Sequence, residues 1–586
     1  MRVSALRRGT LRLALALAAL ALPVAWQPLA AQALRGEKVE LPREVAAELI
    51  EFINRRATTR MTGASRIASG GEVMGDVAVL GGPVTIAGRI HGRLLVVNGD
   101  VHLEPDAAIA GDLTVVGGRV TGLEGVPVEG SVVIYRAPLR FRTEGERLVL
   151  APIEHEPESA LATGREFGIV RADLTLATRR GYNRAEGLPI AAGARLEGRT
   201  AYPLAVEALG IYRTQGGVGF ERDRLGYLLE AEQSLDQRRS LRLGARLRSE
   251  VEPIESVGFS DRENALATFL LHRDYRDYYE RTGWSTFLRW TPPGRAYEGR
   301  LEFLSEQNAV TAVGEPWTLV HRGRPWRPQP VVAEGTLRSL ALDLRFDTRN
   351  EGADPATGWL IHAALEQGLG GELAYPRPVV DTPLLLPVSG PDPRRLPPAG
   401  PQSASTDFLA TTLDLRRYAR LSPSSRLAMR VLATGSLDGR ALPAQRQHAL
   451  GGEGSLPGYA PFHFDCGARA LAREYDGGSF FPYYGCDRLA LFQLEFQNEF
   501  PLIRGWGRKL GRDIDLGERA GWVVFFDAGR AWIERKAREG RWGGQNDFAA
   551  DAGLGVRIGH LGLYWAVPLS GHDRNINFFV RLGPRF

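Results

Sequence analysis

Near the C-terminus, apolar residues recur at every second position. Leu561, Leu563, Trp565, Val567 and Leu569 form one row, and Ile576, Phe578, Val580, Leu582 and Phe586 form the next, with polar or small residues between. Side chains of a strand alternate between its two faces, so a period of two with one apolar row describes a sheet that shows that face to an apolar medium. From about Leu188 onward, similar stretches are separated by Gly, Pro, Asp and Asn turns; 204–213, 241–250, 339–347, 358–367, 411–418, 426–434, 489–499 and 520–532 are clear cases. About sixteen stretches of roughly ten residues fit into 181–586, and ten residues is the length a tilted strand needs to cross a bilayer. The expected fold is therefore mainly β, ending in a transmembrane antiparallel barrel of about sixteen strands. A soluble sandwich is the competing reading, and it would leave an apolar, aggregation-prone edge exposed.

The pattern changes upstream. Over 42–60, Val45, Leu49, Phe52 and Ile53 recur at spacings of three and four, which predicts an amphipathic helix within 38–60. Then a repeat begins. Gly75-Asp76-Val77-Ala78-Val79-Leu80-Gly81-Gly82 is echoed from Gly92, from Gly111 and, truncated, from Gly130, so that the first glycines stand 17, 19 and 19 residues apart. Short β-branched runs punctuated by glycine at this period predict a small solenoid over 65–136, each coil pairing its backbone with the next. Residues 137–180 have neither pattern and are expected to connect solenoid to barrel, which starts at 181.

The first residues add a compartment. Arg2, Arg7, Arg8 and Arg12 precede an apolar stretch from Leu13 to Val24, and small residues follow, with cleavage expected after Ala31 or Ala33. That is the pattern of a signal peptide over 1–33, so the mature chain is exported. In that setting Cys466 and Cys486 are expected to form one disulfide rather than remain as thiols. The balance of 73 basic and 68 acidic residues is spread evenly, without the basic–aromatic clusters of a nucleic-acid partner. No apolar run after the N-terminus reaches the length of a membrane helix. The mean hydropathy of -0.18 is compatible with barrel strands, whose two faces average out.

Candidate chemistry is sparse. There is no Gly-x-Ser-x-Gly elbow, His-Glu-x-x-His pair or phosphate-binding glycine loop, so no catalytic residue, metal or cofactor is assigned and an enzyme is not expected. His272, Asp274 and Asp277, set among Tyr275, Tyr278 and Tyr279, are expected to belong to an interfacial aromatic girdle rather than a metal site. Glu495 and Asp527 are expected to be members of a lumenal charge network.

Two resemblances follow from the motifs. The glycine repeat resembles the β-helix of bactofilin-like polymer-forming proteins. The C-terminal half resembles the barrel of the bacterial surface antigen superfamily, which includes the BamA and TamA assembly factors. Asp347-Thr348-Arg349-Asn350, with Pro355 and Gly358, resembles the family's strand–turn–strand motif. Gly451 and Gly452, followed by Leu456-Pro457-Gly458-Tyr459, stand where the family has its long sixth loop. Phe525-Phe526-Asp527-Ala528-Gly529 resembles a strand after that loop. The closing strand, with Phe578, Val580, Leu582 and Phe586, resembles the family's C-terminal assembly signal, and the stretch from Tyr182 to Gly187 resembles the entry to a first strand.

The resemblance implies an outer-membrane location with a periplasmic N-terminal region. It also implies lipid and the barrel assembly machinery as partners, and polypeptide cargo inserted or exported at a seam between first and last strands. Two departures count against it. Pro457 stands where the family's loop presents an arginine to the inner wall, and the N-terminal region lacks the family's mixed α/β repeats. A surface anchor or a passive channel, with the solenoid docking to envelope proteins, is the alternative. A disulfide from Cys466 to Cys486 would restrain the same loop.

Overall fold

The computed structural model describes residues 36–586 apart from 39–40, 42, 82, 136–137, 140, 145–146, 151–159, 216–223, 256–258, 293–295, 321–322, 350–353, 377–379, 386–402, 423, 465, 467–470, 476–477, 482–484, 502–518, 534–547 and 571–574. The expected signal peptide at 1–33 lies outside the described residues. The chain divides into two compact units, one containing 55–139 with the strand Gly36–Lys38 and the other 40–54 with 140–586.

The first unit is a parallel β-solenoid. Strands Thr59–Thr62, Val77–Leu80, Leu94–Val97, Leu113–Val116, Val132–Tyr135 and Gly36–Lys38 stack in one sheet, and shorter strands make two further faces of four and three. Val77, Val79, Ile86, Leu94, Val96, Leu113 and Val115 are buried between the faces. The repeated glycines stack in a column: a Cβ on Gly92 would lie 2.4 Å from the Gly75 carbonyl, and one on Gly111 would lie 2.7 Å from that of Gly92. After each strand the chain turns through a left-handed residue, Gly81, Asn98 or Gly117, which is why only Asn replaces Gly there. Asp76 and Asp112 accept the backbone N–H of Arg93 and Ser131 one coil on, at 2.9 and 2.8 Å.

The second unit begins with helix α1, Arg43–Asn54, shorter than the expected stretch. It buries Ala46, Ile50, Phe52 and Ile53 and leaves Val45 and Leu49 half-buried, so its packed face is rotated from the one expected. Its last residue joins it to the hairpin at 141–150: Asn54 donates to the Leu148 carbonyl at 2.6 Å and accepts the Leu148 N–H at 2.9 Å.

Besides a smaller sheet that joins Gln329–Pro330, Gly478–Phe481, Leu471–Tyr475 and Val380–Leu385 among the connections, most of the rest is one antiparallel sheet of 17 strands in chain order. They are β1 Ala160–Phe167, β2 Val170–Thr178, β3 Pro189–Gly198, β4 Leu204–Arg213, β5 Leu225–Ser234, β6 Leu241–Pro253, β7 Tyr278–Trp290 and β8 Tyr297–Val310. There follow β9 Glu334–Asp347, β10 Gly358–Ala374, β11 Leu409–Ser422, β12 Ser425–Ser436 and β13 Arg488–Pro501. The last are β14 Arg519–Trp532, β15 Ala549–Ile558, β16 Leu561–Pro568 and β17 Asn577–Leu582. The sheet thus starts at Ala160, inside the stretch expected to be a connector. An up-and-down barrel with both ends on one side takes an even number of strands. Strands β2–β17 make sixteen, and β1 is one more, added to the edge of β2.

The alternation read in the sequence is the inside–outside division of this sheet. On β14, Trp522, Val524 and Phe526 are exposed while Val523, Phe525 and Asp527 are buried. On β16 and β17, Leu561, Trp565, Phe578, Val580 and Leu582 are exposed in a continuous apolar face. The opposite face holds buried Arg, Glu, Asp and Gln, which pair with one another across strands. Short turns join the strands at one end, as at 199–203 and 559–560, and long loops at the other, as at 254–277, 311–333 and 437–487. Helix α2, Asp261–Leu271, lies in the first of those loops. No described helix is long and apolar enough to cross a membrane.

Candidate functional site in the barrel lumen and at the strand seam

Residues 437–464 of the long loop after β12 cross the lumen and are held at both sides. At one side a single 3-10 turn, Ala444–Arg446, presents Arg446 to the wall. Its guanidinium donates to Glu366 and Glu306 at 2.8 Å each and to the Tyr279 hydroxyl at 3.1 Å, on β10, β8 and β7. His448 meets Glu255 at 3.0 Å. Leu450 and Leu456 then pack, fully buried, against the Cys466–Cys486 disulfide, Leu489 and Leu491. Gly451 and Gly452 turn the chain in the left-handed region.

The tip, Pro457-Gly458-Tyr459, reaches the last strands. The Gly458 N–H donates to Asp551 at 2.7 Å, and Asn577 donates to the carbonyls of Gly458 and Pro457 at 2.7 and 3.2 Å. Tyr459 donates to the Ser570 carbonyl at 2.8 Å. A Cβ at position 458 would sit 2.7 Å from that of Asp551, so the close approach requires glycine. The loop therefore enters the lumen without an arginine at 457.

The guanidinium on this part of the wall comes from elsewhere. After β17 the chain turns at Gly583, φ +142°, and the last residues fold into the lumen. Arg585, 1% exposed, pairs with Asp527, stands 3.8 Å from Glu495 and lies over the Phe525 ring at 3.8 Å. Asp527 is the cross-strand neighbour of Asp551, so tail and loop tip engage adjacent carboxylates. Phe586 packs against Tyr418 and Ala428, and its carbonyl accepts the Tyr418 hydroxyl at 2.9 Å. Phe586 therefore leaves the lipid-facing row of Phe578, Val580 and Leu582, contrary to the alternation expected. Arg585 requires it, because the inward turn that brings the guanidinium to Asp527 carries the next residue in as well.

The described residues between β9 and β10 make a second cluster. Arg349 makes a forked pair with Asp347 at 3.0 and 2.8 Å, and a Cβ on Gly358 would strike the Thr348 carbonyl at 2.3 Å. Beside Pro355, Asp354 bonds both Arg426 of β12 and Arg557 of β15, across the lumen. Phe526 faces outward, and Gly529 lies against Leu450 of the loop.

The stretch from Tyr182 to Gly187 lies after β2 and leads into β3 at Pro189, the third strand of the sheet and not the first. Its Arg184 is fully buried, donating to Asp277 at 2.7 Å and Gln329 at 2.8 Å, with Asp274 at 3.8 Å. Tyr278 is buried beside it, Tyr279 is buried against Arg446, and His272 stacks on Trp326 at 3.7 Å. The expected aromatic girdle is thus a buried ion-pair network, because a charge so far from water requires its partners close by.

The seam between first and last strands is the remaining feature. Among the described residues no strand pairs with the outer edge of β17. The Leu582 N–H donates instead to Glu263 of α2 at 2.7 Å, and Arg581 donates to the same carboxylate at 2.7 Å. Glu263 also closes the capping box of α2 with Ser260. At the other side Tyr182 meets Phe269 of α2 edge-on at 5.4 Å. So α2 stands between β17 and the loop that follows β2. Sequence reasoning missed Arg446, Asp551, Asn577 and Glu263, whose roles depend on partners eighty or more residues away. The one local signal was Arg585, a cation directly before the terminal aromatic.

Residues 333–586 match the model of the Omp85 superfamily domain. Among solved structures, the chain is similar to BamA from Haemophilus ducreyi lacking POTRA domains 1-3. The identity is 14% and the TM-score 0.41, covering 73% of this chain and 75% of that one. It is also similar to CdiB from Escherichia coli, at 12% identity and a TM-score of 0.29, covering 76% and 67%. No curated protein matches the chain. The matched residues contain the lumenal loop, its disulfide, Asp527, Asp551 and Arg585, whereas α2 and the Arg184 network precede them.

Proposed function

We propose that this outer-membrane barrel helps insert or export polypeptides by templating strands at its seam. The observation that carries this reading is the edge of β17, whose Leu582 N–H is bonded by a side chain and not by a strand. A carboxylate is displaced from an N–H more readily than a whole strand is, and an exposed strand edge recruits another extended chain. The opposite edge supports the same chemistry, since residues 160–167 of the chain itself add to β2 as an extra strand. Lipid and, during biogenesis, the barrel assembly machinery are the expected partners. The N-terminal solenoid is proposed to be periplasmic, where it would dock cargo or envelope proteins.

The test is depletion from the native cell followed by quantification of folded outer-membrane barrels. A broad fall, with precursors accumulating, supports assembly; an unchanged profile overturns general assembly and leaves dedicated export or a surface anchor. The anchor is favoured by one observation, the lumen crossed by the loop and entered by the C-terminal tail.

A further inference from the structure

Helix α2 has two faces. One buries Glu263, Asn264, Ala267 and Thr268. The other leaves Leu266, Phe269, Leu270 and Leu271 exposed, although a polar exposed face is what a helix beside water carries. The next long loop extends this apolar surface with exposed Trp317 and Leu319, fastened to the helix by the Leu319 N–H donating to the Phe269 carbonyl at 2.8 Å. Contiguous exposed apolar surface of this kind marks an interface.

Its neighbours identify the occupant. The same helix holds the main chain of Leu582 through Glu263, and the Leu582 side chain is part of the outward apolar face of β17. At its other side it meets the loop that follows β2, a strand whose Leu174 and Leu176 are also exposed. The patch is therefore continuous with the lipid-facing surface on both sides of the seam. Arg262 and Arg273, both exposed, flank it, as guanidinium groups flank a segment lying among phosphate headgroups. We infer that α2 and the 311–320 loop form a lipid-inserted plug. Their apolar face lies in the acyl chains of the leaflet at the long-loop end, covering the gap where β17 has no strand partner.

The two cysteines of the sequence form the disulfide, so one introduced thiol is unique. The full chain carrying Leu270→Cys, and separately Leu319→Cys, is labelled with an environment-sensitive dye and reconstituted into phosphatidylcholine vesicles with doxyl-labelled acyl chains. Leu582→Cys is the lipid-facing reference and Arg440→Cys the solvent reference. Lipid insertion gives blue-shifted emission at 270 and 319, with doxyl quenching within about twofold of that at 582. Water-like, unquenched emission at both positions overturns the inference. So does shielding from aqueous iodide without doxyl quenching, which would place a second protein on the patch.

Discussion

Arg585 carries more of the lumen than any other residue of the tail. Replacing it with alanine leaves Asp527 and Glu495 buried beside an emptied site, and unpairing a buried charge costs about 3–5 kcal/mol. Arg585→Ala is expected to lower the denaturation midpoint in urea, followed by the mobility shift of the folded barrel, by that margin. Arg585→Lys should recover only part of it, because an ammonium lacks the planar fork and stacks poorly on Phe525. Gly458→Ala acts by contact instead. Its Cβ would overlap Asp551 and the Pro568 nitrogen, so the tip must withdraw, at a cost of about 1–3 kcal/mol. Increased protease cleavage within 437–487 would report the withdrawal. Neither effect is readable locally: Gly458 was legible as a loop motif, whereas its partner Asp551 lies 93 residues on.

Among elements, the loop and the solenoid obey different chemistry. The loop is restrained covalently by Cys466–Cys486 and electrostatically by Arg446. Removing the disulfide with Cys466→Ala and Cys486→Ala is expected to destabilise the chain by about 2–4 kcal/mol while leaving the loop in the lumen, because Arg446 still binds Glu366 and Glu306. Hydrogen exchange at 444–459 checks this: exchange at the level of an open loop would mean that the disulfide alone holds it. In the solenoid, the side-chain hydrogen bond from Arg93 holds the Asp76 carboxyl below its ordinary value of 3.8. A carboxyl depressed by folding contributes stability above its unfolded pKa and loses it as pH falls through the folded one. Protection of the amides of 77–80 and 94–97 in the full chain should therefore drop on acidification below about pH 4. In Asp76→Asn it should start lower and respond less to pH. The repeat that predicted these coils is visible in sequence because each coil meets its neighbour at a fixed offset of 17 to 19 residues.

For the whole molecule, the loop across the lumen and the tail folded into it predict a poorly conducting barrel. In planar bilayers the intact chain is expected to show little steady current, and excision of 441–484 to open a step of at least tenfold larger conductance. A large current from the intact chain would mean that the loop leaves the lumen in a membrane.

What the sequence determined by itself is whatever depends on local period. The alternation of Leu561, Leu563 and Trp565 sets which face of a strand is apolar, and the bounds of β4 coincide with the stretch read at 204–213. The glycine-punctuated repeat sets the solenoid, since a column of stacked carbonyls leaves no room for a Cβ. The tertiary structure decided the rest. The inward turn of Phe586, the burial of Arg184 among Asp274 and Asp277, and the capping of Leu582 by Glu263 all join positions far apart in the chain. The reason is physical. A period reports the medium each face meets, but the partner of a buried charge or a free strand edge is known only once the sheet has curled and brought distant residues within hydrogen-bonding distance.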